Sequence, residues 1–253
     1  MRYVQNFIGI VLLFIGIAIL VYPVYSDYKL YTKQEEALHN FETSLDDSLK
    51  LPSNEDESIV NVAALENKVI AGLYIPSIDL KIPVYYGTKS FALENGVGLL
   101  ENTDLISTEK GRHTVLTSHS GLSLSRLFTD LPNVKIGDKF FIKKVDGEVL
   151  AYEVVEKNVI LPTQIEYIQN EEGRNLVTLI TCVPLFINSH RLLVKGENIE
   201  YKNELNHFNE KDFLSFHKKY IFTVLLIIVS FLLILTIIKR IKYNRRLETF
   251  LEV

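Results

Sequence analysis

The sequence predicts a mainly β chain: a closed β-barrel or sandwich with short helices, flanked by two transmembrane helices. Three observations carry this. From about Val69 to residue 201, the chain is a succession of short runs rich in Val, Ile, Tyr and Phe, bounded by Gly, Pro, Asn and Asp. That is the pattern of strands joined by tight turns. No long helical stretches alternate with these runs, which favours a barrel or sandwich. Two uncharged stretches lie outside the region, FIGIVLLFIGIAILVYPVY at 7–25 and YIFTVLLIIVSFLLILTII at 220–238. Each is about as long as the roughly 20 residues a helix needs to cross a bilayer.

Residues 1–26 are read as an N-terminal transmembrane anchor. The alternative is a secretory signal peptide, but the apolar run is long for one and no small-residue cleavage site follows Pro23. Residues 27–67 are read as a helical stalk and acidic linker, the region where a lid would lie. Tyr28, Tyr31, Leu38, Phe41 and Leu45 keep helical spacing. LPSNEDES at 51–58 is turn-rich, with Glu55, Asp56 and Glu57 read as a solvated loop. Residues 68–201 form the barrel. Its strand runs are IAGLYIPSIDLKIPVYYG, VLTSH, DKFFIKKV, EVLAYEVVEKNVI, LVTLITC and RLLVKG. Asp146-Gly147 marks a hairpin, and LSRLFTDL (124–131) and QIEYIQNEEG (164–173) suit short helices. Residues 202–219 link the barrel to the second span at 220–238, and 239–253 form a basic tail. Lys239, Arg240, Lys242, Arg245 and Arg246 place that tail in the cytoplasm. Arg2 weakly does the same for the N-terminus. The expected protein is a two-pass chain of the cell membrane, with 26–219 outside the cell.

The net charge of −4 argues against a nucleic-acid partner. Cys182 is the single cysteine, so no internal disulfide forms. A free thiol outside a cell is open to oxidation, so a reason for keeping it is reactivity; an inert buried thiol is the other reading. A cysteine nucleophile needs a base or cation nearby, because a free thiol with a pKa of about 8.5 is mostly protonated at neutral pH. His39 lies in the stalk, and His207 and His217 in the juxtamembrane link. His113 reads as a surface or edge residue, and His190 points away from its neighbour Arg191 on a strand. His119 ends the strand HTVLTSH, where active sites are commonly built. Arg191 stays protonated and suits either an oxyanion or a surface salt bridge. With one cysteine and no histidine pair at ligand spacing, no metal site is expected, and no cofactor.

TLITC (178–182) resembles the TLxTC signature of the sortases. TSHSGL (117–122) resembles that family's histidine motif, and NSHRLLVKG (188–196) the segment carrying its arginine. IPSIDLKIPVYYGT (75–88) and GVGLLENT (96–103) resemble the strand and turn that open the barrel. The resemblance covers about 68–200 and keeps the family's order. It implies a sortase-type closed β-barrel with Cys182 as nucleophile, His119 as acid/base and Arg191 as the oxyanion-stabilising cation. Thr181, Ser118 and His190 follow as groove or supporting residues. It further implies a transpeptidase that cleaves an LPxTG-like sorting signal between Thr and Gly and passes the acyl group to an amine. Two anchors, a stalk and the long HRLLVKG match resemble class C, the pilus-assembling sortases, whose acceptor is a pilin lysine. Anchoring of surface proteins to peptidoglycan is the alternative; a hydrolytic cysteine protease and a non-catalytic scaffold are more distant ones. The sequence departs from the class in three places. No Asp-Pro-aromatic lid motif occurs between 26 and 67, Ser118 stands where Gly often precedes the histidine, and Leu185-Phe186 follow Pro184 where Tyr is often found.

Overall fold

The computed structural model describes residues 2–44, 67–121 and 127–202, with a few positions within 230–240. The chain divides into two units, Met1–Asn203 and Glu204–Val253. In the first, the β-branched and aromatic runs form β1 (Val69–Ile75), β2 (Leu80–Tyr85), β3 (Val97–Leu99), β4 (Arg112–Thr117), β5 (Lys139–Lys144), β6 (Val149–Ile160), β7 (Asn175–Val183) and β8 (His190–Ile199). They close into a barrel in the order β1-β2-β3-β4-β7-β8-β6-β5. Closure removes the exposed edges that an open sheet would leave. The predicted hairpin is present: Gly147 takes a left-handed φ of +83° between β5 and β6. Most neighbours are antiparallel, but β2 with β3 and β4 with β7 run parallel, and the second of these pairs positions the site.

Inward-facing side chains of the strands make the core, including Leu73, Ile82, Leu116, Phe140, Val177 and Leu179. Phe140 stacks on Tyr152 with ring centroids 5.2 Å apart. Gly196 of β8 leaves room for that stack, because a Cβ there would lie 2.5 Å from Phe140 Cζ.

Helix α1 (Arg2–Ser44) runs continuously through Pro23. Residues 27–44 are helical, as their spacing predicts, but the last turns do not stand free. Leu38 and Phe41 are buried. Gln34 Nε2 donates to Asn95 O at 3.0 Å. Glu42 Oε1 accepts from Lys143 Nζ at 3.2 Å and Tyr74 Oη at 3.1 Å. The helix is thus riveted to the barrel by an apolar contact flanked by polar ones. Among the described residues no helix is long and apolar enough to cross a membrane. Many side chains of the 7–25 run, and nearly all of 220–238, lie outside the described residues, as do Leu45, the 51–58 loop, most of 202–219 and most of the basic tail. Of the two short helices expected in the barrel, 164–173 contains a single 3-10 turn, Ile165–Ile168. In 124–131 the residues 124–126 lie outside the described set, and Leu127–Asp130 are turn, leading into a 3-10 turn at Leu131–Asn133. Helix α2 (Ser90–Asn95) fills the β2–β3 connection.

Gly196→Ala tests the packing under β8. Overpacking a well-filled core costs about 1–3 kcal/mol, so the variant should unfold at a lower temperature by calorimetry. An unchanged midpoint would mean that Phe140 yields freely.

Candidate active site

Strand register shows which residues share a face. In β4 and β7 the pairs run from Arg112↔Asn175 to Thr117↔Ile180 without a shift. In β7 and β8, Thr178 faces Lys195, Ile180 faces Leu193 and Cys182 faces Arg191. Directly opposed residues lie on one side of a sheet, and alternate residues along a strand share that side. Leu116, Val177 and Leu179 belong to the barrel core. The alternate set, His113, Val115 and Thr117 on β4 with Leu176, Thr178, Ile180 and Cys182 on β7, therefore lines the outer face. Lys195, Leu193 and Arg191 continue that face on β8. Cys182 sits at its far end, with Arg191 opposite on one neighbouring strand. On the other side the β4 line extends by two residues to His119.

The lower part of this face is buried and the upper part is half-buried. Val115, Leu176 and Leu193 are buried, whereas Thr117, His119, Ile180, Cys182 and Arg191 are half-buried. The cover is the β6–β7 connection, residues 161–174. Gln169 O bonds His113 Nδ1 at 2.7 Å, Glu171 Oε1 accepts from Lys195 Nζ at 2.8 Å, and Asn170 Nδ2 donates to Asp104 Oδ2 at 2.8 Å.

The main chain around His119 is tied down on both sides. Ser118 N donates to Ile180 O at 3.2 Å, and Phe128 N donates to His119 O at 3.0 Å. Thr181 Oγ1 donates to Ser118 O at 2.9 Å, and Ser118 Oγ to Gly96 O at 2.7 Å. Ser120 Oγ donates to Cys182 O. Thr181 and Ser118 are buried, so they support the strand ends and do not line an open groove. His190 is half-buried, its Nδ1 2.8 Å from Ser189 Oγ. Arg191 Nη1 donates to Asn188 O at 3.0 Å and His190 O at 3.1 Å. These bonds hold the guanidinium at the start of β8 through one nitrogen. Among the described residues no group of three or more His, Cys, Asp or Glu could hold a metal ion.

A family model of the sortase domain matches residues 73–199. The chain belongs to the sortase family. It is 26% identical to sortase A of Bacillus anthracis over 207 residues, covering 79% of this chain and 96% of that protein. Among solved structures it is similar to sortase C1 of Streptococcus suis, at 47% identity and a TM-score of 0.54 over 56% of this chain and 78% of that one. It is also similar to sortase C of Streptococcus pneumoniae, at 42% identity and a TM-score of 0.51 over 53% and 70% of the two chains. These solved relatives are class C sortases. The protein is accordingly an enzyme, a cysteine transpeptidase.

One histidine of this sortase is not where the sequence reading put it. His113 is fully buried, not a surface or edge residue. Its Nδ1–H donates to the Gln169 carbonyl, and its Nε2 lies 2.7 Å from Thr178 Oγ1. The reading missed this because the covering segment is distant in sequence. The available signal was Thr178, a polar residue in an otherwise apolar run at the spacing of a diagonal cross-strand neighbour. Burial pushes the His113 pKa down, against the opposing Gln169 carbonyl and with Lys195 assisting. Lys195 loses solvation by burial, but bonds to Glu171 and Glu156 outweigh that and keep it charged. Burial also disfavours the Asp104 carboxylate, yet the His113 N–H, Arg112 and Asn170 hold it below its usual range.

A pH dependence follows. The unfolded chain takes up a proton at His113 near pH 6.5, while the folded ring, with its lowered pKa, resists it. His113 therefore contributes stability above about pH 6.5 that is lost as pH falls below it. The thermal midpoint of the wild type should drop between pH 7 and pH 5.5, and His113→Gln should flatten that slope. Equal slopes would contradict the assignment. Thr178→Val, which strips the ring nitrogen of its partner, should cost about 1–3 kcal/mol.

Proposed function

We propose that this sortase cleaves an LPxTG-like sorting signal at the Thr–Gly bond through a thioester on Cys182, and passes the acyl group to a pilin lysine. The observation that carries the residue assignment is the register. Cys182 and Arg191 are cross-strand partners, and His119 lies two residues past the end of β4, the strand on the other side of β7. The Cys182 thiolate attacks the Thr carbonyl carbon. The guanidinium of Arg191 stabilises the oxyanion that forms. His119 gives its proton to the glycine nitrogen as the peptide bond breaks, leaving the thioester. The lysine amine then attacks, His119 takes up its proton, and the Cys182 thiolate leaves as the isopeptide bond closes. Ser189 ends the β7–β8 loop and His190 opens β8, the strand that presents Arg191.

The pilin reading is supported by likeness to a Streptococcus pneumoniae sortase C whose structure bears on catalysis and pilin substrate specificity. The wall-anchoring alternative uses the same thioester and differs only in the amine. The uncharged runs at 7–25 and 220–238 and the basic tail support a two-pass membrane chain with the barrel outside the cell. Tethering enzyme and substrate to one membrane raises their effective concentration, so weak affinity for a free peptide suffices.

The test uses the full-length chain in detergent, a sorting-signal peptide, and either a pilin-lysine peptide or a cross-bridge amine, with products read by mass spectrometry. Cys182→Ala should form no adduct. Arg191→Ala should lower kcat by about 10²-fold, the scale of one lost oxyanion donor. A Cys182→Ala protein that still made adduct would sink the residue assignment. Preference for the cross-bridge amine would replace the pilin reading with wall anchoring.

A further inference from the structure

We infer that Ser120 is a positioning residue for the transfer reaction, joining the residue after the acid/base His119 to the nucleophile Cys182 by one hydrogen bond. This rests on the assignment of Cys182 and His119 given above.

The β4–β7 ladder ends at Thr117↔Ile180. Beyond it β4 and β7 form no further ladder pair, and the residues at this end of the outer face are half-buried. Side chains take over the connection. Thr117 Oγ1 reaches Ile180 O at 3.3 Å, Thr181 Oγ1 reaches Ser118 O at 2.9 Å, and Ser120 Oγ reaches Cys182 O. The Ser120 bond is the last of these and the one that spans the site. His119 lies between the last two bonds. Ser120 is 8% exposed, so water competes little for its hydroxyl. The acceptor is the carbonyl of the nucleophile itself. Holding that carbonyl orients the peptide plane after Cys182 and, with the β7–β8 ladder holding the strand, restrains the direction of its Cα–Cβ bond. The donor is the residue next to the base, so the same bond sets the spacing of thiol and imidazole. The far side of the Ser120 segment is pinned separately, by Phe128 N on His119 O and by Gly121 N on Thr129 Oγ1 at 3.1 Å. Loss of the Ser120 hydroxyl would leave the loop attached while freeing the link between His119 and Cys182. Reacting groups lose rate steeply with small misplacements, about 10²-fold for 1 Å.

The experiment compares Ser120→Ala, Ser120→Thr and Ser120→Val in the full-length chain, with Cys182→Ala and His119→Ala as controls. Thr and Val are equal in size and differ in the hydroxyl. Transfer from the sorting-signal peptide gives kcat, KM and the pH profile, and iodoacetamide alkylation of Cys182 across pH reports the thiol directly. Ser120→Ala and Ser120→Val should lose about 10- to 100-fold in kcat with KM nearly unchanged. The pH dependence of alkylation should shift, and Ser120→Thr should recover both. The inference is overturned if Ser120→Ala keeps kcat within about twofold of wild type. It is also overturned if kcat falls while the alkylation profile stays put, which would mark a merely structural residue. Failure of both hydroxyl-free variants to fold, with Ser120→Thr folding, would make Ser120 a folding residue instead. If Cys182→Ala still transfers, the site assignment itself fails and takes this inference with it. If Cys182→Ala is dead and Ser120→Ala is not, only the role of Ser120 is lost.

Discussion

The parallel pairing of β4 with β7 decides where the chemistry can lie. Six successive pairs, Arg112↔Asn175 to Thr117↔Ile180, hold without a bulge. A slip of one residue would turn every side chain of one strand to the opposite face. His113 and Thr178 could then no longer meet, Leu116 and Leu179 could not both fill the barrel, and the line ending in Cys182 would point inward. Two parallel strands also finish at the same end of the sheet. A histidine just past one and a cysteine near the tip of the other are therefore placed at the same end of the sheet. The antiparallel β8 begins at that same end and supplies Arg191 opposite Cys182.

One outer face thus has two uses. Its lower half is closed by residues 161–174, and the polar groups trapped there are paired. His113 is bonded through both ring nitrogens, Lys195 lies between Glu156 and Glu171, and Arg174 bridges Glu171 and Glu197. Much of this network is partly solvated, so its ion pairs contribute little individually. Its effect is to fasten the covering segment and set where the cover stops. Above that line lie the half-buried Thr117, Ile180, Cys182 and Arg191. Preorganisation comes from the rigid strands beneath and from the short side-chain bonds that continue beyond the last ladder pair.

Much of this was legible from residue order. Runs such as LVTLITC and RLLVKG, cut by Gly, Asn and Asp, imply strands, and the Asp146-Gly147 turn lies between β5 and β6. Cys182 and His119 could be placed near strand ends because periodicity and turn chemistry are local, although β4 stops at Thr117, two residues short of His119. Contacts between distant segments were not legible. Nothing near His113 announces that Gln169 will cap it. Nothing near Leu38 says that this turn of α1 will dock on the barrel, because a helical apolar stripe shows that it is covered but not by what. Ser120 was overlooked for the same reason, since a serine after a histidine reads as turn chemistry until the Cys182 carbonyl lies within its reach.

In the proposed reaction, Arg191 and His119 flank the reacting carbon on Cys182 from the two neighbouring strands. A crystal structure of the full chain with a sorting-signal peptide aldehyde bound at Cys182 tests it most directly. The hemithioacetal oxygen stands in for the oxyanion. That oxygen should lie about 2.7–3.2 Å from the Arg191 guanidinium, with the His119 ring on the other side of the sulfur. An adduct whose oxygen turns away from Arg191, or an aldehyde that leaves Cys182 unmodified, would contradict it.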